Sequence, residues 1–156
     1  MMINFDIEKF LSLEGYATDE RKTRRKGSGG TQEFFTPFNL VKKMADKIPE
    51  YQWNNPESTF LEPCMGSGQF VIYIIYNKMK HGSTWEQALS TTYGVDIMES
   101  NVQEVYSRVL EMLNQIAIDL DEDKAMQIMK HNLVCSDFFD WDFLNWCPMK
   151  KSVPLF

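Results

Sequence analysis

The segment Glu62-Pro63-Cys64-Met65-Gly66-Ser67-Gly68 sets two glycines between an apolar triplet and a long apolar run. Glycine tolerates positive φ and lets a ligand approach the backbone, and a helix that starts behind such a loop offers free amides. A plain tight turn accounts for two glycines equally well. Glu62 narrows the choice, because a loop that binds phosphate should not open on a carboxylate, whereas an ammonium or sulfonium would be drawn to one. Two further acids stand at comparable places: Asp96 after Thr92-Tyr93-Gly94-Val95, and Asp137 after Leu133-Val134-Cys135-Ser136. Asp96 is placed to accept hydrogen bonds from ribose hydroxyls, as the acid ending the second strand does in dinucleotide folds. It lies farther from the glycines than the roughly 20 residues usual in nicotinamide enzymes, and the insertion around Trp85 accounts for the excess. The plainer reading of Asp96 is a cap of the next helix. Asp137 can accept from an exocyclic amine while Ile97 and Phe138 sandwich a flat base; a turn acid beside a core ring is the alternative.

These residues serve one ligand only if the chain brings them together, and the pattern around them says how. Thr59-Phe60-Leu61, Thr92–Asp96 and Asn132–Cys135 read as short buried strands, with helices over 69–80, after Ser83-Thr84, over 100–119 and over 121–131. An amphipathic helix is expected over 4–14. Thr36-Pro37 reads as a helix start, with Thr36 as N-cap and Pro37 in the first turn of a helix reaching Pro49. Residues 51–58 are loop-like. Strand and helix alternate, which argues an α/β fold with a parallel sheet covered by helices. Ligands of such sheets sit beyond the carboxyl ends of the strands, where Glu62–Gly68, Asp96-Ile97 and Asp137-Phe138 fall. Three acids and a glycine loop in one place suit a cationic adenosine ligand that carries no phosphate. S-adenosylmethionine has that chemistry.

With 156 residues, 44% hydrophobic and 24% charged, the chain has the balance of one soluble domain. Aromatics, at 13%, suggest buried rings or a surface that expects a partner. No apolar run approaches the roughly 20 residues of a membrane helix, and Met-Met-Ile-Asn-Phe-Asp does not resemble a secretion signal. Cys64, Cys135 and Cys147 form no CxxC pair, and with only His81 and His131 beside them no metal centre is expected. Scattered thiols suit a reducing, cytoplasmic setting. Residues 1–31 read as an N-terminal helix and a linker with the basic run Arg21–Lys26, either a solvated linker or a nucleic-acid contact. The formal charge of −6 is a poor match for a large DNA-binding surface.

Over residues 32–143 the sequence resembles adenine-N6 DNA methyltransferases, closest to the modification subunits of restriction systems, and an incomplete domain of that type is expected over 32–156. The likeness rests on Gln32-Glu33-Phe34-Phe35-Thr36-Pro37, Phe60–Phe70 with the glycine loop, Gly94-Val95-Asp96-Ile97, and Ser136-Asp137-Phe138, in that order. It implies a partial Rossmann-like fold that binds S-adenosylmethionine or S-adenosylhomocysteine. By the same likeness, Phe35, Thr36 and Pro37 meet the methionine carboxylate, and Glu62, Pro63, Cys64, Gly66 and Gly68 cradle the methionine. Asp96 would then hold the ribose and Asp137 the adenine amine, with Ile97 and Phe138 left to sandwich the base. The departure is equally plain: the family's Asn/Asp-Pro-Pro-aromatic motif, which grips a flipped adenine, has no counterpart here. Asn54-Asn55-Pro56, Cys147-Pro148 and Val153-Pro154-Leu155-Phe156 do not supply it. No catalytic residue is therefore assigned, DNA contact is expected to be weak, and methyl transfer by the chain alone is not expected. In that family the first strand is central, so its exposure at an edge implies self-association or a partner chain. A non-catalytic cofactor- or partner-binding module is the first alternative. A nucleotide-dependent oxidoreductase is the second, with the missing GxGxxG against it.

Overall fold

The computed structural model describes residues 3–12 and 36–150, so Phe35, the basic run and the 153–156 segment lie outside the described residues. In chain order the elements are α1 (Ile7–Leu11), α2 (Phe38–Ala45), α3 (Glu50–Asn54), β1 (Phe60–Glu62), α4 (Gln69–Lys80), α5 (Trp85–Ser90), β2 (Thr92–Asp96), α6 (Glu99–Ile116), α7 (Glu122–Asn132), β3 (Leu133–Cys135) and a hairpin of β4 (Trp141–Asp142) and β5 (Cys147–Pro148). The fold is α/β. Its sheet is parallel and ordered β1-β2-β3, with Leu61 opposite Tyr93, Gly94 opposite both Glu62 and Leu133, and Asp96 opposite Cys135. Parallel neighbours need a crossover, which α4 and α5 supply between β1 and β2, and α6 and α7 between β2 and β3.

Local signals start several of these helices. Thr84 and Gln87 form a reciprocal capping box on α5, and Asp121 accepts from the Lys124 amide at the start of α7. Along α6, Val102, Val105, Val109, Met112, Leu113 and Ile116 form the buried stripe that the helical spacing predicts. Helix α4 is apolar almost all round and is buried over most of its length.

The differences from expectation are local. Pro37 itself, in extended backbone, is the N-cap of α2, so the helix starts one residue later than the Thr36-Pro37 reading and ends at Ala45. The 51–58 stretch is not all loop. Trp53 stacks on Phe60 at 4.8 Å, and that tertiary contact holds a short helix, α3, that turn-rich composition hides. Helix α6 starts at Glu99, one residue earlier than expected. After β3 comes an unforeseen hairpin, whose Trp146 meets Tyr93 edge-on at 4.7 Å. Among the described residues β1 is bonded to β2 alone, and Leu61 stays 46% exposed. No helix among the described residues is long and apolar enough to cross a membrane.

One buried cation fixes the approach to β1. Lys78 of α4 is fully buried, and its Nζ donates to the carbonyls of Pro56 (3.1 Å) and Ser58 (2.6 Å) while lying 5.4 Å from the Phe60 ring centre. Burial pushes its pKa down, against the opposing charge of Glu57. Lys78→Ala removes the stem and leaves two carbonyls short of a donor, so it should cost about 2–3 kcal/mol in urea unfolding. Lys78→Met keeps the stem and should cost less; equal losses would show that the stem contributes nothing and the two hydrogen bonds carry the whole effect.

Candidate functional site

The strand ends converge because backbone and side chains bind one another there. The Met65 amide donates to the Val95 carbonyl (2.9 Å), and the Gly66 amide to Asp96 Oδ2 (2.8 Å), so the glycine loop is pinned on the end of β2. The Ser136 amide donates to the Asp96 carbonyl at 2.9 Å, which ties the end of β3 to the same residue. Glu62 Oε1 accepts from the Cys64 amide at 3.1 Å. Gly66 and Gly68 take positive φ, +52° and +88°, the conformation for which glycine is needed. Gly94 leaves no room for a Cβ, which would stand 2.7 Å from Met65 Sδ. The loop thus sits on the strand through its methionine as well as its amides.

Asp96 is buried and well engaged. Its Oδ1 accepts from the Met98 amide (2.8 Å) and from Asn101 Nδ2 (3.1 Å), in addition to the Gly66 bond at Oδ2. A carboxylate offers about four acceptor positions, so about one remains for a ligand. Asp96 is not the N-cap of α6, which is Met98 without a side-chain cap bond; it braces the start of that helix through the Met98 amide and Asn101 and keeps acceptor capacity to spare. Asp137 caps the following 3-10 turn by accepting from the Phe139 amide at 2.8 Å. Phe138 is not a core ring: it is 39% exposed and lies 4.7 Å from Phe143, while Ile97 is 61% exposed. Both apolar groups are therefore available at the strand ends. Pro63, Cys64 and Pro37 are exposed as well, and Thr36 is joined to the loop through its carbonyl, which accepts from Gln69 Nε2 at 3.2 Å.

The site is electronegative. Burial pushes the Glu62 carboxyl up, against the bond from the Cys64 amide. The Cys64 thiol is raised by burial and then by the charges of Glu62 and Asp96. Cys135 is raised by burial, then by Glu99, through a hydrogen bond and its charge, and by Asp96. Beside burial, the carboxylates Glu62, Asp96 and Glu99 add negative charge around these thiols, which disfavours phosphate and favours a cation. Among the described residues no group of side chains is arranged to hold a metal ion.

Sequence reasoning missed two residues at this site. Arg108, 1% exposed on α6, donates from Nη1 to the Ser67 carbonyl (2.6 Å) and from Nη2 to Gln69 Oε1 (2.9 Å). Gln69 in turn donates to the Leu11 carbonyl at 2.9 Å. The signal was present: a charged residue between Val105 and Met112 falls on the buried stripe, where it needs a partner. Two clefts, of about 320 Å³ beside Trp85 and Ile116 and about 450 Å³ beside Trp53 and His81, include none of the strand-end residues. No protein-family model, curated protein or solved structure matches the chain.

Proposed function

We propose that the chain is a Rossmann-like domain that binds S-adenosylmethionine or S-adenosylhomocysteine at the strand ends, as an adenine-N6 DNA methyltransferase does, and does not transfer the methyl group alone. The observation that carries this reading is the glycine loop, held on Asp96 through its Gly66 amide and opened by Glu62. A ribose needs an acceptor, an adenine needs an acceptor and an apolar cover, and the methionine ammonium and sulfonium need negative charge. Asp96, Asp137 with Phe138 and Ile97, and Glu62 offer these in turn. The fit of the loop is supported by two further features. A Cβ at Gly66 would meet nothing within 4 Å, so the backbone there borders open space. The Ser67 hydroxyl is buried without a hydrogen-bond partner, a spare polar group in the loop. When bound, S-adenosylmethionine supplies an electrophilic methyl; these residues orient it, and none of them is assigned to the transfer.

Calorimetry tests the reading. S-adenosylhomocysteine and S-adenosylmethionine should bind in the micromolar range, and NAD and ATP should not bind comparably; preference for NAD would favour the oxidoreductase. The pH dependence follows from Glu62. Burial holds its folded-state pKa above the ordinary 4.5, so its contribution to stability falls as pH rises from 4.5 through the raised value. A cationic ligand relieves that cost by pairing with the carboxylate, so affinity should rise across the same window. Glu62→Gln should flatten the profile. Identical profiles for wild type and variant would remove Glu62 from the site.

A further inference from the structure

The glycine loop has an unusual mechanical problem. A glycine accepts either sign of φ, so the peptide joining Ser67 to Gly68 is free to flip unless something holds it. A side chain cannot provide the stiffness, because a Cβ at Gly68 would stand 2.8 Å from Val105 Cγ2 of α6. Hydrogen bonds must. The Gly68 amide donates to the Met65 carbonyl at 2.8 Å, and the carbonyl on the other side of the same peptide, that of Ser67, accepts from Arg108 Nη1 at 2.6 Å. Both ends of one flippable peptide are therefore held. Val105 and Arg108 stand one turn apart on α6, so one stretch of that helix shapes the loop twice, by exclusion and by a hydrogen bond.

The guanidinium is well suited to this task. It stays charged, and its planar fork reaches two acceptors at fixed angles, here the Ser67 carbonyl and Gln69 Oε1. Gln69 extends the hold to the carbonyls of Leu11 and Thr36, and the Phe10 ring of α1 lies 5.9 Å from the guanidinium. Burying a charge is costly unless it is hydrogen-bonded. A cation kept at 1% exposure beside a double-glycine loop is consistent with a positioning task that an apolar residue could not perform.

We infer that Arg108 is a positioning residue: through the Ser67 carbonyl it holds the glycine loop in its ligand-receiving shape. The consequence for affinity rests on the cofactor reading above, while the effect on the loop does not. The test compares the full chain with Arg108→Met and Arg108→Lys, using amide NMR spectra and calorimetry with S-adenosylhomocysteine. In Arg108→Met the Gly66 and Gly68 amide signals should shift or broaden while those of α7 stay in place, and affinity should fall at least tenfold. Arg108→Lys, which can still donate to Ser67, should restore the glycine signals in part and recover most of the affinity. Should Arg108→Met fail to fold, Arg108→Lys carries the test, because its shorter reach must still displace the Gly66 and Gly68 signals measurably. Gly66 and Gly68 signals unmoved in a folded variant would overturn the inference. Absence of ligand binding by the wild type would sink the cofactor reading alone, since the glycine signals still decide the role of Arg108.

Discussion

Gly68→Ala is expected to lower the stability of the fold by about 2–5 kcal/mol. A non-glycine residue held at left-handed φ costs roughly 1–2 kcal/mol, and Gly68 has φ +88°. The added methyl also meets Val105 Cγ2 at 2.8 Å and Cγ1 at 3.2 Å. Forcing a methyl into a packed site adds about 1–3 kcal/mol, and a β-branched side chain on a helix has little rotamer freedom with which to yield. In a chain of this size the melting temperature should drop by roughly 5–15 °C. Gly66→Ala is the matched control. Gly66 shares the positive φ, but a Cβ there meets nothing within 4 Å, so only the backbone term of about 1–2 kcal/mol applies. Thermal unfolding of both variants separates steric from backbone cost. Equal losses would show that Val105 gives way and that the close approach of α6 to the loop is not a constraint.

The same loop shows what a sequence can and cannot disclose. Gly66, Gly68, Glu62 and Asp96 were legible because the type of each residue at its place is itself the signal: glycine for positive φ, an acid where a strand ends. The alternation of strand and helix carried the parallel sheet for the same reason. What escaped depends on contacts between distant segments. Arg108 looks like one more charge on a long helix until Ser67 and Gln69 are found beside it. Helix α3 exists because Trp53 finds Phe60, and no local propensity announces that. The hairpin after Asp137 is held by a tertiary bond, the Trp146 indole donating to the His131 carbonyl at 2.6 Å. Trp146, at φ +50°, adopts a conformation that composition does not predict for so large a side chain. The acceptor load on Asp96 was likewise invisible, since a sequence shows a carboxylate but not how much of it is already in use.

That load shapes the result expected from Asp96. Asp96→Ala should weaken binding of S-adenosylhomocysteine at least tenfold, because a hydrogen bond to a charged group contributes about 1.5–3 kcal/mol and the carboxylate also holds the Gly66 amide in the loop. Part of that loss is indirect. Removing the carboxylate takes one acceptor from the Met98 amide and one from the Asn101 carboxamide as well, so the fold itself should lose about 1–3 kcal/mol. Asn101→Ala distinguishes the two contributions. It withdraws one donor from Oδ1 and leaves the Gly66 bond in place, freeing an acceptor position on Asp96. If the spare capacity of this carboxylate limits its grip on a ribose, Asn101→Ala should bind S-adenosylhomocysteine at least as tightly as wild type while melting somewhat lower. Stability and affinity would then move in opposite directions in one variant and together in the other, a pattern that general loosening of the fold does not produce. Calorimetry showing equal affinity for wild type and Asp96→Ala would instead leave Asp96 as a brace for the start of α6 and a clasp on the glycine loop, with no ligand to hold.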